Sequence, residues 1–238
     1  MPLCGRPPQS HVTRIRFQSL DSYTTRVTET VQPQRKRTRR EIQAEATRRD
    51  IVEAAARLFA ERGYVGTSLE ALADESGVVV QTIYNSFGSK FGVLKRLFDV
   101  TIAGDERDVP LAERIGRDIR DAPDSESIVE LLAGHLTATH RRMHVLHRII
   151  WTAVGVDPEI DDFWRDNRDR RMWGYTQAST ELRSRGGLRR GVSVEAAAAV
   201  IWSLGNPETF DFLTQQRGWS ETRYRRWIVR SLRGALLE

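Results

Sequence analysis

The sequence predicts an all-α protein. Apolar residues recur at helical spacing from about residue 48 onward, and Ser, Asp, Gly or Pro marks the ends of these segments. No segment alternates apolar and polar residues in the way that predicts a half-buried β-strand. No run reaches the ~20 apolar residues of a membrane span. With 39% hydrophobic residues among 238, the chain can still form one large or two small cores.

The excess positive charge lies in an N-terminal tail. The formal net charge is +5, and residues 1–47 hold nine basic and four acidic side chains. Residues 1–44 lack a hydrophobic period, so they are predicted to be a disordered basic tail. A basic tail on a neutral body points to a polyanionic partner. Its run Arg35–Arg40 is either an arm for the minor groove of DNA or a solvated charged tail.

The cysteine content and the first residues of the chain indicate the cellular compartment. The single cysteine, Cys4, excludes a disulfide framework and a thiolate zinc site, and it fits a reducing cytosol. No apolar stretch of secretory length follows the early basic residues, so we expect no secretory signal. We therefore expect a cytoplasmic protein without a membrane partner, associated with the nucleoid when it is bound to DNA.

Four helices are predicted first, each bounded by a capping residue or a terminating glycine. Their expected ranges are about Arg48 to Gly63, Ser68 to Gly77, Val79 or Val80 to Phe87, and Lys90 onward from a Ser89 cap. From residue 105 the pattern stays helical. We expect one or two helices around 128–154, a long helix from Asp157-Pro158 to Arg185, one from Ser193 to about Gln216 kinked at Asn206-Pro207, and a last one from Ser220.

The second and third helices have the spacing of a helix-turn-helix, whose second helix enters the major groove of DNA. Ile83 and Phe87 are predicted to point inward. The outward residues are then polar and uncharged, apart from one valine, and such groups suit hydrogen bonds to base edges. They are Val80, Gln81, Thr82, Tyr84 and Asn85. An ordinary short surface helix is the competing interpretation.

The stretch from Arg48 to Phe98 resembles the DNA-binding region of the TetR/AcrR family of bacterial repressors. The shared residues keep their order and gaps; they include Gly63-Tyr64, Gly66-Thr67-Ser68, Ser76-Gly77-Val78, Thr82-Ile83-Tyr84 and Ser89-Lys90. Val79 departs from the pattern, which often has a small polar residue there. The resemblance implies a three-helix helix-turn-helix DNA-binding domain over residues 45–105. It also implies a helical effector-binding and dimerisation domain over residues 106–238.

DNA contacts follow from the resemblance together with the residue types. Groove contacts are expected from Val80, Gln81, Thr82 and Asn85. Phosphate contacts are expected from Thr67 and Ser68 at a helix N-terminus and from the basic side chains of Arg48 and Lys90. The Tyr84 hydroxyl is also expected to contact a phosphate while its ring packs in the core.

All six tryptophans lie after residue 150, and in a helical domain they can line a cavity or simply fill the core. As a cavity they predict a small apolar or aromatic effector. The candidate pocket residues are Met143, His147, Ile150, Trp151, Phe163, Trp164, Trp173 and Trp202.

An apolar stripe on the last helix, with alanines before it, predicts a dimer interface built as a four-helix bundle. A core stripe within one subunit is the competing account. The candidate interface residues are Ala197, Ile201, Tyr224, Trp227, Ile228, Leu232 and Ala235.

These observations predict a homodimeric, ligand-responsive repressor that binds a palindromic double-stranded operator and is released by a small molecule. No cofactor, metal or catalytic residue is expected. His140, His144 and His147 share one helical face, so an all-α enzyme using a bound metal is one alternative. A constitutive architectural DNA-binding protein, whose aromatic residues only fill the core, is the other.

Overall fold

The computed structural model describes residues 38–104 and 111–238, and within these ranges the chain is helical as predicted. The helices are α1 (Arg39–Arg62), α2 (Leu69–Ser76), α3 (Val80–Phe87), α4 (Lys90–Ala103), α5 (Leu111–Asp121), α6 (Ser125–Ala153), α7 (Pro158–Ser184), α8 (Val194–Leu204), α9 (Pro207–Asp211) and α10 (Glu221–Leu236). A π-helical turn, Phe212–Gln216, precedes α10. None of the described helices combines the length and apolar character that crossing a membrane requires.

The first helix begins at Arg39 rather than near Arg48. Its start is a capping box: the Thr38 hydroxyl accepts from the Glu41 N–H at 3.2 Å, and the Glu41 carboxylate accepts from the Thr38 N–H at 2.7 Å. Arg39 and Arg40 are therefore helical, which corrects the predicted tail boundary at residue 44. The rest of that prediction, including Cys4 and Arg35–Arg37, lies outside the described residues.

The capping predictions for the next three helices are confirmed. The Ser68 hydroxyl accepts from the Ala71 N–H at the start of α2, and Gly77 ends α2 with φ 68°. Val79 precedes α3 in extended backbone and makes no side-chain cap. The Ser89 hydroxyl accepts from the Gly92 N–H at the start of α4.

The C-terminal helices follow the prediction with one exception. The segment from Ser193 to Gln216 forms two helices and a π-helical turn rather than one kinked helix. Asn206 is extended, with φ −78° and ψ 136°, as expected before a proline. Because Pro207 has no N–H to donate, α8 ends before it and α9 begins with it.

Two apolar cores hold the helices together. The first contains buried residues of α1 to α4 and also of the end of α6 and the start of α7, from Met143 to Trp164. The second joins α5, α6, α7, α8, α9 and α10. Since the first core is shared, the helix-turn-helix packs directly on residues that the sequence assigned to the C-terminal domain.

Candidate nucleic-acid interface

The exposed face of α3 is polar and uncharged. Ile83 is fully buried in the first core, whereas Gln81 and Asn85 are exposed. The Gln81 side-chain amide donates to the Asn85 side-chain oxygen at 2.9 Å. This pair presents amide donors and acceptors in a fixed relation to each other, which suits recognition of base edges in a major groove.

The other predicted groove residues flank this pair. Thr82 is half-buried, and Val80 is partly buried because it packs against the first core. Tyr84 is 48% exposed, so the expected packing of its ring in the core is wrong. Its exposure leaves both the ring and the hydroxyl on the outer surface of α3.

At the start of α2, Thr67 and Ser68 are not both available to a phosphate as predicted. Thr67 is 1% exposed, its hydroxyl donates to the Gly63 carbonyl at 2.8 Å, and its N–H donates to the Tyr64 carbonyl. The predicted phosphate contact is therefore wrong for Thr67, which fixes the turn from inside. Ser68 is exposed, but hydrogen bonds from the Glu70 backbone N–H and then from the Ser68 hydroxyl lower the pKa of the Glu70 carboxyl. A phosphate at this N-terminus must displace that carboxylate.

Lys90 holds the turn between α1 and α2 from the start of α4. Its ammonium donates to the carbonyls of Tyr64 and Thr67, each at 2.9 Å, and lies 4.3 Å from the centre of the Tyr64 ring. Burial lowers the pKa of Lys90, opposed by the nearby Asp157 carboxylate. The predicted phosphate contact stays a prediction, and only the third N–H of the ammonium is left to make it.

Arg48 is exposed on α1, where its guanidinium lies 3.6 Å from the Glu45 carboxylate. An exposed pair of this kind contributes little to stability, so Arg48 can exchange Glu45 for a phosphate. Its predicted contact stays a prediction.

A polar joint connects the turn after α1 to the start of α7. The Tyr64 hydroxyl donates to Oδ2 of Asp157 at 2.8 Å, and Oδ1 of Asp157 caps α7 by accepting from the Glu159 N–H at 3.0 Å. Burial, followed by the Asp157 interaction, raises the pKa of Tyr64, so the phenol keeps its proton. Together with Lys90, this joint ties the position of the helix-turn-helix to α7. The sequence prediction missed it because the two residues are far apart in the chain.

Residues 51–97 match the family model described as bacterial regulatory proteins, tetR family. The match covers the end of α1, the helix-turn-helix and most of α4. The chain carries a TetR-type DNA-binding region. Proteins of this family are DNA-binding regulators of transcription and not enzymes. Among curated proteins, none matches the chain.

Several solved structures share the fold of this chain over most of its length. NalD, the secondary repressor of the MexAB-OprM multidrug efflux pump in Pseudomonas aeruginosa, has a TM-score of 0.67 at 19% identity. That alignment covers 83% of this chain and 98% of NalD. FadR from Bacillus subtilis in complex with stearoyl-CoA has a TM-score of 0.60 at 19% identity, covering 79% and 98%. SmeT in complex with triclosan has a TM-score of 0.63 at 16% identity, covering 81% and 92%.

The predicted dimer residues lie mostly inside the subunit. Five of them are fully buried in the second core: Ala197, Ile201, Tyr224, Ile228 and Leu232. The competing account, a core stripe within one subunit, is correct for these five, and their assignment to an interface is wrong. Trp227 and Ala235 are partly buried and remain on the surface. Periodicity identified the buried side of α10 but not what buries it.

The predicted pocket residues are not brought together. Met143 and Ile150 are fully buried in the first core, and the Phe163 ring meets those of Phe91 and Phe98 edge-on. Trp151 and Trp173 are 56% and 59% exposed. As a single pocket lining the set is wrong, because its members face the first core, the second core and solvent.

Three members of the predicted pocket set, His147, Trp164 and Trp202, each contact another aromatic ring. The ring centre of His147 lies 5.8 Å from that of Trp164. Trp202 contacts Tyr175 at 6.2 Å and stacks on Arg171 at 4.7 Å.

The histidine face of α6 does not form a metal site. No group of three potential ligands is close enough to hold a metal ion among residues 38–104 and 111–238. The rings of His140 and His147 contact each other at 6.3 Å, whereas the His144 ring bonds the Arg141 carbonyl. The three histidines therefore do not converge with a further ligand on one point within the described residues.

The missing cap of α3 gives a direct prediction. Val79 is 68% exposed and already has the extended backbone of an N-cap, so Val79→Ser should add a hydrogen bond to α3. We expect a gain of about 1 kcal/mol in the free energy of unfolding, or a Tm higher by about 2–4 °C. Ser89→Ala, which removes the cap of α4, should lower stability by a similar amount. A Val79→Ser protein no more stable than wild type in thermal unfolding would contradict this description of α3.

Proposed function

We propose that this chain is a TetR-family regulator, a homodimeric repressor that binds a palindromic operator and is released by a small effector. The exposed face of α3 carries the proposal, because the paired amides of Gln81 and Asn85 can bond base edges. Thr82, Val80 and Tyr84 border the pair and are assigned to neighbouring groove or phosphate contacts. A regulator of this kind acts on the chromosome in the cytoplasm.

The phosphate contacts are assigned to residues around α3. Ser68 lies at the N-terminus of α2, where backbone N–H groups and the helix dipole favour an anion once Glu70 moves aside. Arg48 on α1 and the remaining N–H of Lys90 complete the set. These contacts position the protein on the duplex but carry no sequence information.

The dimer interface is assigned to the outward faces of α8 and α10. Ala196, Ala199 and Ser203 are exposed on α8, and Trp227, Ser231 and Gly234 follow one another on the outer side of α10. Small side chains allow two helices to approach closely, and α8 and α10 from each subunit can form a four-helix bundle. A twofold pair of α3 helices would then read two half-sites about one helical turn apart.

Release is assigned to the joint between Tyr64 and Asp157. An effector that binds between the C-terminal helices and moves the start of α7 would also move the turn after α1, because the hydrogen bond joins them. To change an operator from mostly bound to mostly free, the effector must prefer the released shape by a few kcal/mol. This requires an effector site that touches α7.

Selection of bound sequences from a random pool of double-stranded DNA tests the proposal. We expect the wild type to enrich an inverted repeat and to have twice the 27.2-kDa chain mass in light scattering. Ser231→Glu, which puts a charge in the proposed interface, should give monomers that enrich no inverted repeat. Gln177→Glu on the exposed side of α7 is the control and should behave as wild type. Enrichment of no sequence by the wild type would favour an architectural protein and overturn the proposal.

A further inference from the structure

Two helix faces meet in a layer of polar and aromatic side chains that DNA binding does not use. His140 and His147 lie on α6, and Trp164, Asn167 and Arg171 follow at helical spacing on α7. The ring centres of His147 and Trp164 are 5.8 Å apart, and those of His140 and Phe210, on α9, are 5.7 Å apart. We call these five residues of α6 and α7 the histidine layer.

Four polar atoms of the histidine layer are buried without a hydrogen-bond partner in the described protein. They are Nδ1 of His140, Nδ1 of His147, Nε1 of Trp164 and Oδ1 of Asn167. The residues His140, Trp164 and Asn167 are 3%, 6% and 7% exposed. Folded proteins pair more than about nine-tenths of such atoms, so four in one layer point to a partner from outside the chain.

The layer has aromatic walls, and a solvent-exposed tryptophan borders it. The rings of Trp164, His147 and Phe210 offer flat surfaces suited to a planar molecule, since aromatic groups pack edge-on or offset against one another. Trp151 is 56% exposed, and its ring centre lies 6.4 Å from that of Trp164.

The charge of the layer is positive. Burial, followed by neighbouring positive groups including Arg171, lowers the pKa of His147 to about 3 and that of His140 well below its usual value. Both imidazoles are therefore neutral at pH 7. The positive charge that acts on both of them is the guanidinium of Arg171. Of its five N–H donors, one is used by the Gly205 carbonyl.

Two further titratable groups lie on the helices that form or border the layer. On α6, burial lowers the pKa of His135 to about 4, so it is neutral as well. On α9, Oδ2 of the Asp211 carboxylate accepts a hydrogen bond from the Gln216 amide at 3.2 Å, whereas Oδ1 of Asp211 is buried without a partner. A cationic ligand would be repelled by Arg171, whereas a carboxylate would be attracted to it.

We propose that the histidine layer is the effector site and takes a small aromatic carboxylic acid with a hydroxyl group on its ring. The carboxylate would accept hydrogen bonds from Arg171 and the Trp164 indole, and the hydroxyl would donate to Oδ1 of Asn167. The ring would lie among Trp164, His147 and Phe210. The proposal rests on the proposed function, because it names the effector of that same regulator.

Calorimetric titration of the full chain with three matched probes tests the ligand class. The probes are 4-hydroxybenzoate, the neutral 4-hydroxybenzamide and the cationic 4-hydroxybenzylamine. We expect the acid to bind, the amide to bind at least about 10-fold more weakly, and the amine not to bind, since charge-assisted hydrogen bonds are the stronger ones. In gel-shift titrations, the acid should also weaken binding to the DNA selected from the random pool.

Variants locate the site. Arg171→Met should weaken acid binding at least about 10-fold while leaving the amide nearly unchanged. Arg168→Met on the exposed side of α7 is the matched control and should bind as wild type. Trp164→Phe keeps the aromatic wall and loses the indole N–H, so it tests the site even where Arg171→Met fails to fold, and acid binding should fall about 3- to 10-fold.

Several results would overturn this proposal. They are equal binding of acid and amide, preference for the amine, no binding of any probe, or acid binding that leaves DNA affinity unchanged. Each is distinguishable from failure of the proposed function, because DNA selection is measured without any ligand. A chain that enriches an inverted repeat but ignores the acid retains the proposed function and loses only this effector class.

Discussion

Gln81→Ala is expected to abolish discrimination between the selected operator and unrelated DNA, while non-specific binding persists. Gln81 is exposed on α3 and donates to Asn85, so the substitution removes one amide and releases the other. A bidentate contact to a base contributes about 1–3 kcal/mol of discrimination, and a twofold complex contains it twice. We expect the ratio of the two dissociation constants to fall about 30-fold to 20,000-fold at fixed salt.

The matched control for Gln81→Ala is Gln177→Ala, an exposed glutamine on α7. It should leave both dissociation constants unchanged, since it lies outside the proposed interface. Gel-shift titrations of operator and scrambled duplex at one ionic strength give the two constants. If Gln81→Ala kept the wild-type ratio, α3 would not be the element that reads the sequence.

The second large effect is expected at the joint between Tyr64 and Asp157. Tyr64→Phe removes the hydroxyl that donates to Asp157, and Asp157→Asn removes the charge while an amide oxygen can still cap α7. A hydrogen bond to a charged group contributes about 1.5–3 kcal/mol, so each single variant should lose stability of that order. The double variant should lose little more than either single one.

Denaturant unfolding of the wild type, the two single variants and the double variant measures this coupling. We expect a coupling energy of at least about 1 kcal/mol, whereas independent sites add within about 0.3–0.5 kcal/mol. The exposed pair Arg57 and Glu75, 3.0 Å apart, is the control and should couple by less than about 1 kcal/mol. Additive effects at Tyr64 and Asp157 would remove the joint from the mechanism of release.

Local features of the DNA-binding region could be predicted from the sequence. Ser68, Gly77 and Ser89 bound their helices as expected, because caps and left-handed glycines act on adjacent backbone groups. The start of α1 was missed, since Arg39 to Thr47 lacks an apolar period. The spacing of Thr38 and Glu41 was the available signal.

Features that depend on distant contacts could not be predicted. The sequence suggested that Thr67 is an exposed polar residue, but the carbonyls of Leu58 in α1 and of Gly63 after it accept from its hydroxyl. The sequence suggested that Lys90 is a free cation. Its ammonium instead donates to backbone carbonyls that lie 23 and 26 residues earlier in the chain. The stripe of Tyr224, Ile228 and Leu232 predicted burial correctly, yet periodicity alone cannot distinguish the core of one subunit from an interface.

Site-directed cleavage of the selected operator tests most directly that α3 lies in the major groove. Cys4 is the only cysteine, so Cys4→Ser with Val79→Cys attaches an iron–EDTA cleavage reagent to one exposed position at the start of α3. We predict two groups of cuts related by a twofold axis, one in each half-site, and none from Cys4→Ser with Arg190→Cys. Cuts that avoid both half-sites, or that occur equally on any duplex, would contradict the assignment of α3 as the reading helix.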